Sequence, residues 1–506
     1  MPDEPKADDA PPEPADEPAG DVPIRPLRVA IVGAGPAGLF TVEALTDFAD
    51  IPISVELVDG LPTPFGLLRY GVAPDHPEIR SIRNRFADLL HRDDVGFLGG
   101  VRIGVDVTVP ALREHVDAVV YSYGAAADRR LGVPGEDLRG VLPATALVAW
   151  YCGHPDADRA LVEDALSAGI SAQGVRTAVV VGAGNVALDV ARVLCRRADE
   201  LAATDMPGHA LAALAETNVQ EVHVLVRRGP ADVAFSTPEL RELVGLCGVQ
   251  VVLADPHIDL TDPPGASRVV SRNLAVLREA VQADPAPPGR RRVVLHFWSR
   301  PVGFLGAVRA SAGAGAGAGA AGQERVRAVS VEPTQLDYDG RLVAAGAPRD
   351  LAADLVVPAV GYRGVALPGL LFDEVAAVIP GEAGRIRRER ADGQVVATGE
   401  YVTGWITRGP QGVIGTNKSG ARETARSVLA DAAELLRRPD PGGLAGWLSV
   451  CGIPAVTVGG WDRIDAAEVA LGRREGRARA TLADRAAMME AAHRDPGTAD
   501  GSTPSW

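Results

Sequence analysis

Apolar and polar positions divide the beginning of the chain into strand, turn and helix. The run Leu27 to Val32 is apolar at nearly every position, as in a strand that is buried on both faces of a parallel sheet. A glycine turn follows, and the pattern then predicts a helix from about Pro36. A second strand, ISVELVD, ends at Asp59, and residues 116–125 predict another buried strand. This order predicts a doubly wound strand–turn–helix unit.

The same arrangement occurs again in the middle of the chain. Residues 176–194 have the pattern of a strand, a glycine turn and a helix, and residues 222–226 predict the companion strand. Residues 353–364 predict a buried strand ending in glycine, where the chain returns to the first unit. We therefore predict an α/β fold with two Rossmann-like domains, the second inserted in the first, as in glutathione-reductase-like proteins.

The first glycine turn has the features of a dinucleotide site. Gly33, Gly35 and Gly38 fit the pattern G-x-G-x-x-G between a strand and a helix. These glycines permit the tight turn, the approach of a pyrophosphate and the packing of helix on strand, in that order. The phosphate then lies at the positive end of the helix. Asp59 ends the next strand, where an acid can hold a ribose hydroxyl, so we favour a dinucleotide over an ordinary tight loop.

In the second unit, the companion strand is followed by positive charges and not by an acid. Gly182 and Gly184 precede an alanine at the third position, Ala187, which the pattern permits, although an unusually long segment separates it from the companion strand. Arg227 and Arg228 stand where an acid would be expected. Guanidinium groups bind a 2′-phosphate through forked hydrogen bonds, whereas an acid would repel it. A solvated basic loop is the alternative. The economical assignment is FAD at the first turn and NADP(H) at the second.

Composition and charge exclude several classes of protein. The chain of 506 residues is 46% hydrophobic, and its net charge of −15 argues against a general nucleic-acid binder. No apolar run approaches the roughly 18 residues that span a bilayer. Residues 1–23 are rich in acids and prolines and predict a disordered tail without a targeting pattern. We therefore expect no membrane association and a cytoplasmic location.

The cysteines and a low-complexity segment narrow the possibilities further. The four cysteines form no CxxC, which argues against a disulfide framework, a zinc ribbon and a redox-active disulfide. We expect buried, reduced thiols and no metal site. Residues 310–322, ASAGAGAGAGAAG, predict a flexible surface loop between two strands at residues 293–298 and 326–331.

Four longer motifs resemble one family. They are PTPFGLLRYGVAPDHPEIRSI (62–82), GNVALDVAR (184–192), VRRGPADVAFSTPELREL (226–243) and GWITRGPQGVIGTNKSGARET (404–424). In this order they resemble the ferredoxin–NADP reductases of the adrenodoxin-reductase type, including the mycobacterial members, over about residues 27–490. The resemblance implies an FAD-dependent enzyme that passes electrons from NADPH to a ferredoxin. The chain has no cysteine-rich ferredoxin module, so this partner would be a separate protein.

The resemblance also implies which residues contact the cofactors. Besides the three glycines of the first turn, the residues implied for FAD are Ala37, Asp59, Leu67, Val105, Trp405, Gly412, Val413 and Ile414. Those implied for NADP(H) are Ala183, Gly184, Asn185, Val186, Arg227, Arg228, Glu239 and Gly412. Independently of the resemblance, glycines at 409 and 412 would let the backbone lie flat against a ring. Without the resemblance, Trp405 would be taken for an ordinary core aromatic.

His76 and Glu239 are the expected catalytic pair. His76 lies between Pro74 and Pro77, so it is not inside a helix, and histidines in loops are mostly structural or solvated. The resemblance implies a position near the flavin and the nicotinamide, with Glu239 nearby. Such a pair, with tuned pKa values, can position the nicotinamide or relay a proton.

These observations lead to one prediction of function and several alternatives. We predict an FAD domain of residues 24–127 and 359–506, an NADP domain of residues 128–358, hydride transfer from NADPH to flavin N5, and single-electron transfer to ferredoxin. The alternatives are an NADPH diaphorase or quinone reductase, the electron-input subunit of another flavoenzyme, and a non-catalytic NADP-sensing flavoprotein. Ferredoxins are usually acidic, so we expect a basic docking face, with the candidates Arg192, Arg196, Arg197 and Arg241. The oligomeric state stays open.

Overall fold

The computed structural model describes residues 25–167, 174–282, 290–307, 324–390 and 393–494. The predicted acidic tail, residues 1–23, and the predicted glycine–alanine loop, residues 310–322, lie outside the described residues. Within the described ranges, no helix is both long and apolar enough to cross a membrane.

The N-terminal part alternates strands and helices, as its apolar runs predict. Its elements are β1 (Leu27–Val32), α1 (Pro36–Phe48), β2 (Ile53–Asp59), α2 (Leu67–Tyr70), α3 (Pro77–Arg80), α4 (Ile82–Leu90), β3 (Val95–Gly99), α5 (Val109–Glu114), β4 (Ala118–Tyr121) and β5 (Ala127–Asp128). The predicted bounds of β1 and β2 are confirmed to the residue. Helix α1 begins at Pro36 as expected, because the N–H that proline lacks would have no partner at the first helical position.

The middle part forms a second system of strands and helices. Its elements are α6 (Ala144–Tyr151), α7 (Arg159–Ser167), β6 (Thr177–Val181), α8 (Asn185–Cys195), α9 (Ala198–Leu201), α10 (Gly208–Glu216), β7 (Glu221–Leu225), α11 (Thr237–Val244), β8 (Val249–Leu253), α12 (Arg268–Gln282), β9 (Arg291–His296), β10 (Ser299–Ala307), β11 (Arg325–Leu336), β12 (Leu342–Ala344), β13 (Arg349–Ala352), β14 (Leu355–Pro358) and β15 (Tyr362–Arg363). Helices α9 and α10 occupy the long segment that separates the second turn from its companion strand.

The C-terminal part returns to the first sheet and ends in helices. Its elements are β16 (Gly381–Glu382), β17 (Arg385–Arg390), β18 (Gly393–Val402), α13 (Trp405–Arg408), α14 (Asn417–Leu435), α15 (Leu444–Val450), α16 (Val458–Arg474) and α17 (Arg485–His493). Two of these helices begin with side-chain caps, since Thr457 accepts a hydrogen bond from the N–H of Gly460 and Asp484 from that of Ala487.

A seven-stranded sheet combines the N-terminal and C-terminal parts. Its order is β16-β17-β18-β4-β1-β2-β3, parallel from β18 to β3 and antiparallel at β16 and β17. Val29 and Ile31 point into a core beneath α1 and α14, whereas Ala30 and Val32 point into the core of the opposite face. Burial on both faces explains why these strands have continuous apolar runs.

The middle part has its own parallel sheet. The order of its five strands is β14-β6-β7-β9-β8. Ala178 and Val180 face a helical core with α8, and Val179 and Val181 face the antiparallel sheet of β10 to β13. The expected strands on either side of the glycine–alanine segment need a correction, because β9 does not lead into that segment. An additional strand, β10, follows β9 and pairs with β11.

The chain crosses between the two parts twice, at adjacent positions. Strands β5 and β15 pair there, with Ala127 opposite Arg363 and Asp128 opposite Tyr362. The segment before α17 adds a second junction, since Nη1 of Arg477 donates to the carbonyl of Thr204 at 3.1 Å. The predicted domain boundaries lie beside the first junction and stay a prediction.

Candidate functional site

In the first glycine turn, neighbouring atoms pack closely against Gly33 and Gly38, whereas the space beside Gly35 is open. Gly33 has φ +109, and a Cβ there would lie 2.7 Å from Cα of Tyr123. A Cβ on Gly38 would lie 2.1 Å from the carbonyl oxygen of Gly33. At Gly35, by contrast, the nearest atom to a Cβ is Cα of Gly66, at 3.9 Å. The turn therefore leaves room at Gly35, where a dinucleotide pyrophosphate would approach the start of α1.

Asp59 holds this turn in place. Its Oδ2 accepts a hydrogen bond from the N–H of Ala34 at 2.7 Å, and its Oδ1 accepts one from the N–H of Leu61 at 2.8 Å. Burial raises the pKa of Asp59. Val105 lies nearby, in the loop after β3, where the N–H of Val101 donates to the carbonyl of Asp59 at 2.9 Å. Val105 is 68% exposed.

Two segments flank the start of α1. Gly66, with φ +47, lies so close to Gly35 that a Cβ on it would be 2.9 Å from Cα of that glycine. Leu67 follows as the first residue of α2. On the other side, a Cβ on Gly404 would be 2.6 Å from Cβ of Ala37. The structure thus brings the PFGL and GWITRG motifs to the same turn.

The segment after Gly404 forms an exposed rim. Nε1 of Trp405 donates to the carbonyl of Gln411 at 3.2 Å, and its ring lies 5.7 Å from that of Tyr362. Gly412 has φ +83, a conformation that favours glycine. Val413 is 57% exposed, and Ile414 begins the 3₁₀ turn Ile414–Thr416. The ring of Trp405 and this backbone provide a flat edge beside the first turn.

The second glycine turn resembles the first in shape, but its residues are more exposed to solvent. A Cβ on Gly182 would lie 2.4 Å from the carbonyl oxygen of Ala359, whereas one on Gly184 would meet nothing within 4 Å. The carbonyl of Ala183 accepts a hydrogen bond from the N–H of Ala234 at 2.8 Å. Oδ1 of Asn185 accepts one from the N–H of Ser236 at 2.7 Å. Val186 follows, partly buried, in the first turn of α8.

Arg227 and Arg228 lie one residue beyond the end of β7, and both are exposed. Their backbone is fixed, because the carbonyl of Arg227 accepts a hydrogen bond from Thr334 at 2.8 Å and that of Arg228 accepts one from the N–H of Trp298 at 3.0 Å. Among the described residues, neither guanidinium has a hydrogen-bond or ion-pair partner. Two unpaired cations on a fixed backbone suit a phosphate ligand.

His76 is buried where the N-terminal and middle parts meet. Its Nε2 lies 3.1 Å from Oδ1 of Asp189 and 3.1 Å from Oε2 of Glu239. Its Nδ1 lies 2.9 Å from Oε2 of Glu242, and the guanidinium of Arg192 contacts the same ring. His76 comes from the N-terminal part, whereas the other four residues come from the middle part. The expected pair of His76 and Glu239 is therefore brought together across the junction.

These contacts shift the pKa values of the network. Burial favours neutral His76, but its hydrogen bonds to Asp189 and Glu239 outweigh this effect and raise the pKa of His76 to about 10. Burial disfavours ionised Glu239, but its hydrogen bond with His76 lowers its pKa. Burial raises the pKa of Asp189 and that of Glu242. His76 and Glu239 thus form a charged pair at neutral pH.

Most residues of this network were not predicted from the sequence. Arg192 donates through Nε to Oδ2 of Asp75 at 2.7 Å and through Nη1 to Oε2 of Glu239 at 3.4 Å. Its side chain is fully buried. One signal was present in the sequence, because Asp189 and Arg192 stand three residues apart in the otherwise apolar helix α8. A charged pair at that spacing on a buried helix indicates an internal ion pair.

The arginines that we expected at a docking face differ in exposure. The expectation for Arg192 is wrong, because its guanidinium is buried in the network. Arg196 lies 2.9 Å from a carboxylate of the same network, and Arg197 pairs with Asp199 at 2.7 Å. Arg241 is exposed on α11, and its guanidinium has no partner among the described residues.

The structure can also be compared with the expectations of buried cysteines and of no metal site. Cys152 and Cys195 are buried as expected, and burial raises their pKa values to about 12. The expectation is wrong for the exposed Cys247 and Cys451. The ligand atoms of the group His76–Glu239–Glu242 lie within 4.8 Å of one another, a spacing that a metal ion can bridge. The guanidinium of Arg192 already places a positive charge there, and the absence of a metal stays a prediction.

Two sheets, one wholly and one mainly parallel, each have a glycine turn at the start of a helix, and together they define the fold of oxidoreductases that bind two dinucleotides. The spaces beside Gly35 and Gly184 fit pyrophosphates. The acid Asp59 at the end of the first companion strand suits the free ribose hydroxyls of FAD, and Arg227 and Arg228 after the second suit the 2′-phosphate of NADP(H). The residues present therefore fit both groups.

Comparisons with known proteins identify the family. No family profile matches the chain. The chain is 40% identical to NADPH-ferredoxin reductase FprA of Mycobacterium tuberculosis over 92% of this chain and 99% of that protein. It is 35% identical to the mitochondrial NADPH:adrenodoxin oxidoreductase of Arabidopsis thaliana over 90% of this chain and 94% of that protein. A solved structure, Mycobacterium tuberculosis FprA in complex with NADPH, matches with a TM-score of 0.81 at 39% identity, over 92% of this chain and 100% of that chain.

The chain therefore belongs to the family of NADPH-ferredoxin reductases and NADPH:adrenodoxin oxidoreductases. This result confirms the family that the four motifs indicated and the predicted fold class.

Proposed function

We propose that this chain is an FAD-dependent ferredoxin–NADP⁺ reductase, which takes electrons from NADPH and passes them to a separate ferredoxin. The observation that carries this proposal is the pair of glycine turns in a chain of this family. The first turn is followed by an acid, and the second is followed by two arginines without partners among the described residues. The related FprA has been solved with NADPH, which supports the second assignment.

The proposal assigns FAD to the first turn and the flat rim beside it. The residues at the first turn and its flanks are Gly33, Gly35, Ala37, Gly38, Asp59, Leu67 and Val105, and those at the rim are Trp405, Gly412, Val413 and Ile414. Bound FAD supplies a centre that accepts hydride and gives up single electrons. Trp405 and the backbone of residues 409–414 hold the ring edge and exclude water from one side of it.

The proposal assigns NADPH to the second turn. The residues at its phosphates are Ala183, Gly184, Asn185, Val186, Arg227 and Arg228. His76 and Glu239 lie at the junction between the two turns, where they hold a proton between Nε2 and Oε2 and position the nicotinamide. The FAD domain comprises residues 24–127 and 359–506, and the NADP domain comprises residues 128–358.

The proposed partner is an acidic iron–sulfur protein that docks on exposed arginines. Arg241 lies on α11, which packs against α12, where Arg268 and Arg272 are also exposed and without partners among the described residues. A docking face of this kind raises association rates at low salt.

The docking proposal is tested by the salt dependence of ferredoxin reduction. Arg241→Ala should slow reduction a few-fold at low ionic strength, and the difference should vanish at high ionic strength. Arg341→Ala, an exposed arginine on the β11–β12 hairpin, serves as the matched control and should change nothing. A reduction rate that does not depend on salt would count against this docking mode.

The function itself is tested with the purified protein. We expect a flavin spectrum with one non-covalent FAD per chain and NADPH-dependent reduction of at least one member of a panel of ferredoxins. Protein that cannot be reconstituted with FAD would overturn the proposal, and a clear preference for quinones would favour a diaphorase. A cytoplasmic location is part of the proposal, and cell fractionation tests it.

A further inference from the structure

Four arginines on the outer side of helix α14 and in the turn after it have no carboxylate partner. Arg422 and Arg426 lie one turn apart on the helix, and Arg437 and Arg438 lie in the turn that follows its last residue, Leu435. All four side chains are exposed, and none forms an ion pair with another described residue. We call these four residues the α14 arginines. A group of unpaired cations on one side of a protein attracts an acidic ligand.

Two of these arginines are held in place beside an apolar surface. The guanidinium groups of Arg422 and Arg426 lie over the ring of Phe48, at 6.0 and 5.4 Å from its centre. These cation–π contacts orient the two charges but leave their N–H groups without an acceptor among the described residues. Phe48 is itself 37% exposed, at the end of α1. The surface therefore suits a ligand that combines carboxylates with small apolar residues.

The first described residue of the chain is fixed beside the end of α14. Nη2 of Arg25 donates to the carbonyl of Arg438 at 3.0 Å. The same guanidinium donates to both carboxylate oxygens of Asp117, at 2.7 and 2.9 Å. These bonds fix the point at which residues 1–24 join the described chain, and this point lies next to two of the α14 arginines.

The composition of residues 1–24 complements this surface. They contain eight acids and a single base, Lys6, and most of the other residues are proline or alanine. An opposite charge is therefore joined to the chain exactly where the unpaired arginines begin. Charge complementarity of this kind selects the ligand that an exposed basic surface takes.

The spacing of the acids also fits the length of the surface. An extended chain spans at most about 3.6 Å per residue, so Asp21 reaches about 14 Å from Arg25, and Asp16 reaches about 32 Å. Arg426 lies about 20 Å from Arg438, at a rise of about 1.5–2 Å per residue. Acids of residues 1–24 can therefore reach both ends of the group of α14 arginines.

The covalent connection makes weak contacts sufficient. A single exposed ion pair contributes little to binding. Residues 1–24 are joined to the chain beside the α14 arginines, so their docking is intramolecular, at an effective concentration of about a millimolar. A separate acidic protein with the same intrinsic affinity would need a similar concentration to displace them. The surface therefore favours the chain's own acidic segment.

From these observations we propose that residues 3–21 dock on the α14 arginines, running from Arg438 towards Arg422 as the chain is followed back from Arg25. The docked segment covers a basic surface that would otherwise attract acidic proteins. The basic face of α11 and α12, which includes Arg241, then remains open for the proposed ferredoxin. Only this last consequence rests on the proposed function, and the docking itself does not.

The first test is a zero-length cross-link in the full-length protein. A carbodiimide joins a carboxylate to an amine only when the two are in contact, so Arg426→Lys supplies an amine on this surface. At low ionic strength, mass spectrometry should find an amide between position 426 and an acid of residues 8–21, and the amide should be lost at high ionic strength. Arg341→Lys, on the exposed β11–β12 hairpin, is the matched control and should give no cross-link with residues 1–24.

The yield of this cross-link should not change on dilution, because the two groups belong to one chain. A yield that falls on dilution would show that the acids come from a second copy and would overturn the proposal. The proposal would also be overturned if position 426 gave no cross-link with residues 1–24, or no more than position 341 does.

The second test measures the accessibility of the segment without cross-linking. Glutamyl endopeptidase cleaves after glutamate, so docking should slow cleavage after Glu13 and Glu17. Replacing Arg422, Arg426 and Arg437 together by Gln should accelerate this cleavage several-fold at low ionic strength. The difference from the wild type should vanish at high ionic strength, because the contacts are between exposed charges.

The matched variant replaces three arginines of the other basic face, Arg241, Arg268 and Arg272, by Gln. It removes the same charge from the protein and should leave the rate of cleavage unchanged. Faster cleavage in this variant alone would mean that the segment docks on α11 and α12, and equal rates in both variants and the wild type would mean that it docks on neither surface. Either result would overturn the proposal and leave the proposed function untouched.

Discussion

The two glycine turns have almost the same backbone design and very different surroundings. Residues 33, 34 and 36–38 of the first turn are buried, and Asp59 uses both carboxylate oxygens to hold the turn through backbone N–H groups. Residues 182–186 of the second turn are all partly exposed, and the two arginines after its companion strand are exposed.

This difference in burial explains how one motif can serve two kinds of ligand. A buried, pre-formed cradle retains a cofactor through many turnovers, because dissociation must expose apolar surface and break fixed hydrogen bonds. An accessible cradle with free charges suits a substrate that binds and leaves in each cycle. We therefore expect FAD to behave as a resident cofactor and NADPH as an exchanging substrate.

The largest effect should come from filling the open side of each turn. Gly35 has φ −80 and Gly184 has φ −105, so both accept an L side chain without backbone strain, and a Cβ has space at each position. Gly35→Val should yield folded protein without bound FAD, because its side chain fills the place of the pyrophosphate. Gly184→Val should yield yellow protein with a strongly raised KM for NADPH.

Visible spectra and NADPH titrations measure the two outcomes, and thermal unfolding of the apoproteins checks that neither variant is misfolded. Each variant is the control for the other. If both variants lose the same cofactor, or if neither loses any, the assignment of the two turns is wrong.

A smaller effect should follow from removing the charges after β7. Hydrogen bonds to charged groups contribute about 1.5–3 kcal/mol each, so replacing Arg227 and Arg228 together by Ala should lower kcat/KM for NADPH by about two or more orders of magnitude. The loss should appear mainly in KM, because a distant phosphate binds the ground state and the transition state alike.

NADH lacks the 2′-phosphate, so its use should change little in the double variant, and the FAD content should stay the same. Steady-state kinetics with both nucleotides give the answer. A double variant that retains the NADPH preference of the wild type would show that the phosphate is held elsewhere.

The first turn could be predicted closely from the sequence, and the junction network could not. Strands β1 and β2 matched to the residue because a strand buried on both faces must be apolar throughout. Strand β10 was missed, since its sequence, SRPVGFLGA, mixes glycine, proline and arginine with apolar residues and shows no regular alternation.

The burial of Arg192 shows why the network was missed. A charged residue on a helix is expected to face solvent. Arg192 is buried because it pairs with Asp75 and Glu239, which lie far away in sequence, and with Asp189 on its own helix. Only the fold brings Asp75 and Glu239 to Arg192, so no local pattern could reveal these two contacts, and the spacing of Asp189 and Arg192 was the one local signal.

The smallest predicted effect concerns His76, which lies where the N-terminal and middle parts meet. Its replacement tests whether this junction is charged. The pKa of His76 is raised from 6.5 to about 10 by hydrogen bonds to Asp189 and Glu239 that outweigh its burial, with Glu242 and Arg192 also in contact with the ring. A group whose pKa is higher in the folded state stabilises the fold fully below its unfolded pKa and loses that contribution as the pH rises through its folded pKa.

Replacing His76 by Gln should therefore lower the free energy of unfolding by about 1–2 kcal/mol below pH 6.5, where an imidazolium bonded to carboxylates is lost. The difference from the wild type should shrink steadily between pH 6.5 and 10, because in this range folded His76 holds a proton that unfolded His76 has lost. Urea unfolding of both proteins at several pH values measures it, with Arg341→Ala as an exposed control whose difference should not vary with pH. A constant gap between wild type and His76→Gln would mean that folding does not raise the pKa of His76. The junction between the N-terminal and middle parts would then be held by Arg192 and its carboxylates alone.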